Sequence, residues 1–367
     1  MKKICHVTSA HYSNDARIFR LECVSLARSY ETYIVVRGES RVENGVNIIG
    51  VGDAPSSRLL RMLIFTKKVY KEALKLDCDL YHIHDPELLP YALKLKKKGK
   101  IVIFDSHENT LEQMDEKKWI PSFLRGIVSK MYRFYATKIF KQLSALISVT
   151  PHIVDQLKNI NQNTVMVTNY PIVDSSVGYR ERSDGGFSVC FTGGIDPQWN
   201  HESIIKAIEN TGINYNLCGR AEESYIKHLK SLNGWKNVNY FGKVSFAESR
   251  RIQNDSDVGI ALLSPSNNTG NMVGTIGNTK LFEYMMSGLP LICTDFILWK
   301  EIIEKYKCGI CVKIDDPQKL RKALCNLRDN PAIAEEMGRN GIAAVRSEYN
   351  WQTQEKVLFG LYNQLLS

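Results

Sequence analysis

At 367 residues the chain exceeds the roughly 100–200 of a single domain, so two domains, each able to bury its own core, are expected. With 44% hydrophobic and 24% charged residues it has the composition of an ordinary folded protein, and no run of about 18 apolar residues provides a membrane span. The formal charge of +9 points to an anionic partner, for which nucleic acid, a nucleotide and an acidic membrane are the available classes.

The opening "MKKICHVTSA" is a buried-strand pattern with a charged start and lacks the long apolar region of a signal peptide, so a cytoplasmic protein is expected. Its nine cysteines are scattered, most within apolar runs, and read as reduced buried thiols; Cys308 and Cys311 form a lone C-x-x-C with no second pair. Short apolar runs follow one another at helix-length intervals: "KICHVTS", "TYIVVR", "DLYHIH", "KIVIFD" and "SALISVT", then "FSVCFTGG", "YNLCG", "VNYFGKV", "DVGIALL", "LPLICTD" and "CGICVKI". That alternation predicts α/β architecture with two doubly wound parallel sheets, broken where "VTNYPIVDSSVGYRERSDGG" (167–186) interrupts it. The final "WQTQEKVLFGLYNQLLS" has helical spacing and could pack on either domain.

In the first half, "HYSNDARIF" offers His11, Asp15 and Arg17 after the first strand, with Asp15 equally able to cap a helix. "YHIHDPELLP" and "IFDSHE" end neighbouring strands with His beside carboxylates: His84-Asp85, and Asp105 ahead of His107-Glu108. Burying such groups costs free energy unless they are paired or used, which suggests a polar pocket; strand-to-helix capping by His84, Asp85 and Asp105 is the plainer alternative. The stretch 117–142, "KKWIPSFLRGIVSKMYRFYATKIFKQ", carries Lys117, Lys118, Arg125, Lys130, Arg133, Lys138 and Lys141 without an acidic residue, interleaved with Trp119, Phe123, Tyr132, Phe134, Tyr135 and Phe140. A basic aromatic helix fits an anionic membrane surface and accounts for the net charge without nucleic acid; a domain helix with core aromatics and solvated cations is the alternative.

In the second half, strand-end glycines recur where backbone can approach phosphate: Gly193 and Gly194, then Gly219 with Arg220, then Gly242 with Lys243 and Val244. "GNTKLFEYMMSGLP" adds Asn278, Lys280, Leu281 and Glu283 at a helix start, with a cation suited to a diphosphate and a carboxylate suited to the paired hydroxyls of a ribose. Each loop alone is a weak signal; their convergence in one half is the stronger one.

Together, "KLFEYMMSGLP", "GKVSFAESRRIQNDSDVGIALL", "HYSNDARIFRLE", "YHIHDPELLPYALKLKKKGKIVIFDSHE" and "VTNYP" resemble bacterial nucleotide-sugar glycosyltransferases of the GT-B fold, in the retaining family numbered four. The resemblance spans nearly the whole chain. It implies two Rossmann-like domains facing across a cleft: an acceptor-binding one at 1–170, a donor-binding one at 171–350, and a helix at 351–367 crossing back to the first. It also implies no metal or other cofactor. On that resemblance Glu283 matches the second glutamate of an E-x7-E motif, His107 approaches the donor sugar, Asp85 and Glu108 lie toward the acceptor, and His11, Asp15 and Arg17 approach acceptor or diphosphate. Two departures stand out: Thr275 occupies the place of the motif's first glutamate, and "IDPQWNH" lacks the usual Arg/Lys pair, leaving Arg220 and Lys280 as the cations for the departing diphosphate.

The expected activity is transfer of a sugar from a nucleotide diphosphate, UDP-linked, to a glycan, with a lipid-linked surface-polysaccharide intermediate as acceptor and peripheral attachment at the inner membrane face. If configuration is retained, the leaving phosphate can take the acceptor proton; if it is inverted, Asp85, Asp105 or Glu108 is the candidate base. The alternatives are a GT-B epimerase or hydrolase and a non-enzymatic nucleotide or nucleic-acid binder.

Overall fold

The computed structural model describes residues 1–116, 120–173, 178–179 and 186–367. The chain separates into two compact units, Met1–Asn169 with Gln352–Ser367, and Tyr170–Trp351.

The first unit is built on β1 (Lys3–Tyr12), β2 (Glu31–Arg37), β3 (Arg41–Glu43), β4 (Val46–Gly50), β5 (Leu80–Ile83), β6 (Ile101–Ser106), β7 (Ala145–Ser148) and β8 (Thr164–Met166). They form one sheet in the order β3-β4-β2-β1-β5-β6-β7-β8, parallel throughout except for the β3–β4 hairpin. Residue alternation assigns the two faces. Cys5, Val7, Val35, Tyr81 and Ile83 join one core with Val69, Ala92 and Ile139 from the helices Thr66–Lys75, Leu89–Lys97 and Ser122–Phe140. Ile34, Val36 and Ile48 turn to the other face, under Ile18 and Phe19 of the helix Ala16–Cys23. The even positions His6 and His82 therefore share that second face. The last helix, Trp351–Leu366, also belongs with this unit: Tyr362 meets His82 Nδ1 at 2.8 Å, and Tyr30 donates to Asn363 at 2.6 Å.

The second unit is built on β9 (Ser188–Thr192), β10 (Asn214–Cys218), β11 (Val238–Gly242), β12 (Val258–Ala261), β13 (Leu291–Thr294) and β14 (Gly309–Val312), all parallel, in the order β11-β10-β9-β12-β13-β14. This is a doubly wound order whose switch point falls between β9 and β12; in the first unit it falls between β1 and β5. All eleven apolar runs read from the sequence form strands, as the doubly wound expectation requires, and each unit is Rossmann-like. β3, β4 and β8 are additional. All nine cysteines are free, and Cys311 lies 3.9 Å from Cys293 across β13 and β14.

Candidate functional site

In the second unit the three glycine loops are built against one another at the carboxyl ends of adjacent strands. The Gly193 N–H donates to Cys218 O at 3.0 Å, and the Gly219 N–H to Gly242 O at 2.7 Å. Gly193 and Gly219 both have φ of +147°, and a Cβ on Gly219 would stand 1.6 Å from the Gly193 carbonyl oxygen, so no side chain fits there. Gly194, Arg220 and Lys243 are exposed, and Gly242 and Val244 half-buried, around this wall.

Lys280 reaches the same wall from the helix Lys280–Met286. A Cβ on Gly193 would meet Lys280 Nζ at 2.6 Å, so the glycine is the space in which the ammonium lies. Nζ stands 4.4 Å from the centre of the Trp199 ring and 5.1 Å from that of Phe191, a cation–π cradle. Burial lowers its pKa, against the pull of Glu283 and Asp196. Among the described residues no carboxylate lies within ion-pairing distance of Nζ. Glu283, one turn on, is half-buried, and its carboxylate likewise has no hydrogen-bonding partner among them. The helix start itself is less open than the sequence suggests, because the Lys280 N–H donates to Asn278 Oδ1 at 3.1 Å. Thr275 accepts from the Gly277 N–H at 3.1 Å, and its carbonyl accepts from the Trp299 indole at 2.6 Å, so it shapes the preceding turn. Leu281 is fully buried.

In the first unit the candidates gather at the carboxyl ends of β1, β5 and β6. Asp105 is buried and gripped by Arg17, Nε to Oδ2 at 2.9 Å and Nη2 to Oδ1 at 3.0 Å, while Arg17 Nη1 donates to Asn169 at 2.8 Å. Burial works against ionisation of Asp105, but Arg17 and His107 overcome it and hold the carboxyl well below its usual range. His107 Nε2 lies 3.1 Å from Asp105 Oδ2 and 3.2 Å from His84 Nδ1, which orients a partly exposed imidazole on a buried carboxylate. Burial lowers His84 to about 4, against the pull of Asp105.

Asp85 Oδ2 accepts from Thr8 Oγ1 at 2.8 Å and from the N–H groups of Ser9 and Ala10 at 2.6 and 3.1 Å, so this oxygen ties down the loop after β1. Glu108 is exposed, and its side chain has no partner among the described residues. His11 Nδ1 lies 2.9 Å from Asp15 Oδ2, and Asp15 Oδ1 caps the helix Ala16–Cys23 through the N–H groups of Arg17 and Ile18. The His11 and His107 ring centres are 5.5 Å apart.

Burial pulls the His11 pKa down, but the Asp15 hydrogen bond, with Asp85 behind it, leaves it raised. Asp15 is correspondingly held well below the usual carboxylate range, burial opposing and His11 prevailing. Stability from raised His11 is present below its unfolded pKa of about 6.5 and is lost as pH rises through the folded value. Stability from depressed Asp15 is present above about 3.9 and is lost as pH falls. His11 is therefore expected to titrate above 6.5 by NMR, and Asp15→Asn, which still caps the helix, to bring it down; an unchanged His11 titration would break the pairing.

Sequence reasoning missed three fully buried members of the same neighbourhood: His6, Glu22 and His82. It also missed the Trp199 cradle. His82 and His84, two apart on a strand, were a readable sign of a shared face; Glu22 had none, because only the i→i+5 winding of its helix, as in Arg20 N–H to Asp15 O, stacks it with Arg17.

Two family profiles match the chain: Glycosyltransferase Family 4 over residues 20–176 and Glycosyl transferase-like over 198–358. An uncharacterized glycosyltransferase of Methanocaldococcus jannaschii is 22% identical over 298 residues, 75% of this chain and 71% of that one. Among solved structures, sucrose-phosphate synthase from Thermosynechococcus elongatus superposes with a TM-score of 0.77 at 14% identity, covering 100% of this chain and 99% of that one. Anabaena HepE in complex with UDP-glucose gives 0.74 at 13%, covering 99% and 100%. At such identities the structural likeness speaks to the fold. Fold and profiles together make the chain a GT-B glycosyltransferase. It is related to the family 4 sugar transferases.

Proposed function

We propose that the chain transfers a sugar from a UDP-linked donor to a hydroxyl of a lipid-linked surface-polysaccharide intermediate, with retention and without a metal in the transfer step. The observation that carries the donor assignment is the pair of charged groups without an ionic partner among the described residues on one helix, Lys280 over the Gly193 loop and Glu283 one turn beyond it. Lys280 and Arg220 neutralise the departing diphosphate, and Glu283 accepts from the ribose hydroxyls. The acceptor side falls to the first unit, with His107 held by Asp105 for the sugar hydroxyls and Asp85, Glu108 and His11 around it.

Retention is supported by the state of two of the three candidate bases. Asp105 is locked by Arg17, and Asp85 Oδ2 is occupied by the β1 loop. In the retaining reaction the bond from the anomeric carbon to the diphosphate breaks, the bond to the acceptor oxygen forms, and the acceptor proton passes to a diphosphate oxygen. No side-chain base is then required; Glu108 is the base an inverting reaction would use.

Calorimetry with UDP, GDP, ADP and CMP in metal-free buffer tests the donor assignment. UDP is expected to bind best, and Glu283→Gln to weaken uridine and UDP alike; if no nucleotide binds, Lys280 and Glu283 are scaffold.

The lipid-linked acceptor rests on the helix Ser122–Phe140. Phe140 is core and Tyr132 packs against it, but Phe123, Ile127, Met131 and Phe134 are 79%, 59%, 68% and 74% exposed, an apolar stripe flanked by Lys130 and Lys138. Arg133 pairs with Asp115 at 3.5 Å, while Lys117, Lys118 and Trp119 lie outside the described residues. A second exposed apolar segment, Leu59, Leu60, Met62, Leu63 and Ile64, precedes the helix Thr66–Lys75. No helix among the described residues is long and apolar enough to cross a membrane; the attachment we propose is peripheral, through these two apolar segments. The protein is expected to sediment with anionic vesicles at low salt and be released at high salt; failure to sediment, or sedimentation unaltered in a Phe123→Glu/Phe134→Glu variant, would refute this attachment.

A further inference from the structure

Beneath the sugar-side groups, on the sheet face opposite Cys5 and Tyr81, lies a cluster that the transfer chemistry does not use. His6 and His82 are register partners on β1 and β5. His84 follows two residues after His82, and the helix Ala16–Cys23 lays Glu22 over all three. Glu22 Oε2 stands 3.7 Å from His6 Nδ1, 3.9 Å from His82 Nδ1 and 4.0 Å from His84 Nε2, with His6 Nδ1 and His84 Nε2 2.9 Å apart. One donor atom from each residue lies within 4.8 Å of every other, and all four side chains are 0% exposed.

The second observation is the state of the carboxylate. Neither oxygen of Glu22 has a hydrogen bond of good geometry: Oε1 is ion-paired with Arg17 Nη2 at 3.1 Å, and Oε2 faces the three imidazoles at 3.7–4.0 Å, with Asp105 close by. His82 Nε2 is also without one. A fully buried carboxylate oxygen with no hydrogen-bond donor is costly, and an ion bonded to Oε2 and to the imidazole nitrogens relieves that cost, taking the place of the His6 Nδ1–His84 Nε2 hydrogen bond.

The geometry points to a four-coordinate site for a divalent first-row transition ion of the Zn²⁺ type, held by His6, His82, His84 and Glu22. Bonds of about 2.0–2.1 Å in a tetrahedral site set ligand atoms about 3.3–3.4 Å apart. Four of the six ligand pairs lie 2.9–4.0 Å apart, on either side of that value, and every pair lies within 4.8 Å, so the shell closes by moving the side chains and without moving the backbone elements. Three imidazoles and one carboxylate suit Zn²⁺ rather than Mg²⁺ or Ca²⁺, which take oxygen ligands.

The surroundings supply the outer partners that metal-bound imidazoles use. Asp105 Oδ2 lies 3.5 Å from His84 Nδ1 and 3.9 Å from His82 Nε2, and the Tyr362 hydroxyl lies 3.3 Å from His6 Nε2. Tyr362 also meets His82 Nδ1 at 2.8 Å, a contact the ion replaces. Buried on all sides, the ion is structural. It fastens β1, β5 and the helix Ala16–Cys23, and through His84 it fixes His107. It is separate from the diphosphate chemistry and does not depend on the donor assignment.

The full chain, loaded with Zn²⁺ or Co²⁺ and desalted, is to be assayed for bound metal by elemental mass spectrometry and, for Co²⁺, by visible absorption. One equivalent per chain is expected, with the intense bands of tetrahedral cobalt and no thiolate charge-transfer band, and with retention lost in Glu22→Gln and His82→Gln. Chelation is expected to lower the melting temperature of the parent chain but not of the variants. No retained metal, equal retention in the folded variants, a weak octahedral spectrum, or a thiolate band marking the cysteines would each overturn the site. Should a variant fail to fold, stoichiometry and the cobalt spectrum of the parent chain decide alone.

Discussion

Lys280→Met is expected to weaken UDP binding by about ten- to a hundredfold while changing uridine binding by no more than about twofold. Hydrogen bonds to charged groups contribute about 1.5–3 kcal/mol, and each 1.4 kcal/mol is a factor of ten. The ammonium sits where the Gly193 loop leaves room and is held over Trp199 and Phe191 by its charge, not by a carboxylate. A ligand diphosphate would therefore be its first strong counterion. Methionine keeps most of the stem that fills the cradle, so the variant removes charge without opening a large cavity. Lys280→Arg is not a conservative control, because the broader guanidinium meets the Gly193 backbone in the space the ammonium occupies. The loss should shrink as salt rises, since screening weakens the parent interaction and leaves the neutral variant unaffected. Calorimetry on the two ligands decides the matter: equal loss of UDP and uridine would place Lys280 away from phosphate.

How much of this was readable in the sequence depends on what carried the signal. Buried parallel strands are continuous apolar runs, and all eleven that stand out became strands. The hairpin of β3 and β4 was less visible, because β3 is three residues long with Val42 72% exposed, although Asn44-Gly45, both with positive φ, is a recognisable turn pair. Gly193, Gly219 and Gly242 were legible as strand-end glycines, and the structure brings them together because β9, β10 and β11 are neighbours. Lys280 and Glu283 were legible from chemistry and spacing. What counters the lysine's burial was not: the face of Trp199 comes from a loop about eighty residues earlier, and no local pattern links them. Asp105 and Asp85 were legible as functional carboxylates, yet their partners change their meaning, since Arg17 neutralises one and the loop after β1 occupies an oxygen of the other. Partners 88 and 76 residues away are a property of the sheet order, which short motifs do not encode.

Arg17→Met is expected to destabilise the first unit by about 3–5 kcal/mol, the usual cost of removing one partner of a buried ion pair. Arg17 is 5% exposed, donates both forks of its guanidinium to Asp105, reaches Asn169 with the third nitrogen and faces Glu22. Without it, Asp105 keeps His107 and His84 as neighbours but loses the one fixed cation gripping it. Most of the loss should come from the stranded carboxylate, not from missing contacts. Arg17→Lys, which keeps the charge but not the planar fork, is expected to fall between parent and Met. Asp105→Asn is expected to be destabilising alone, yet combined with Arg17→Met it should restore part of the loss, because the double variant no longer strands the Asp105 charge. Chemical denaturation of the four proteins measures the coupling. If the double variant loses the sum of the two single effects, the pair is not coupled, and Arg17 stabilises the unit through Asn169 and packing. Strong coupling would instead mean that one ion pair holds both the helix Ala16–Cys23 and the imidazole of His107 in place, so that stability and the orientation of the sugar-side site are set by the same contact.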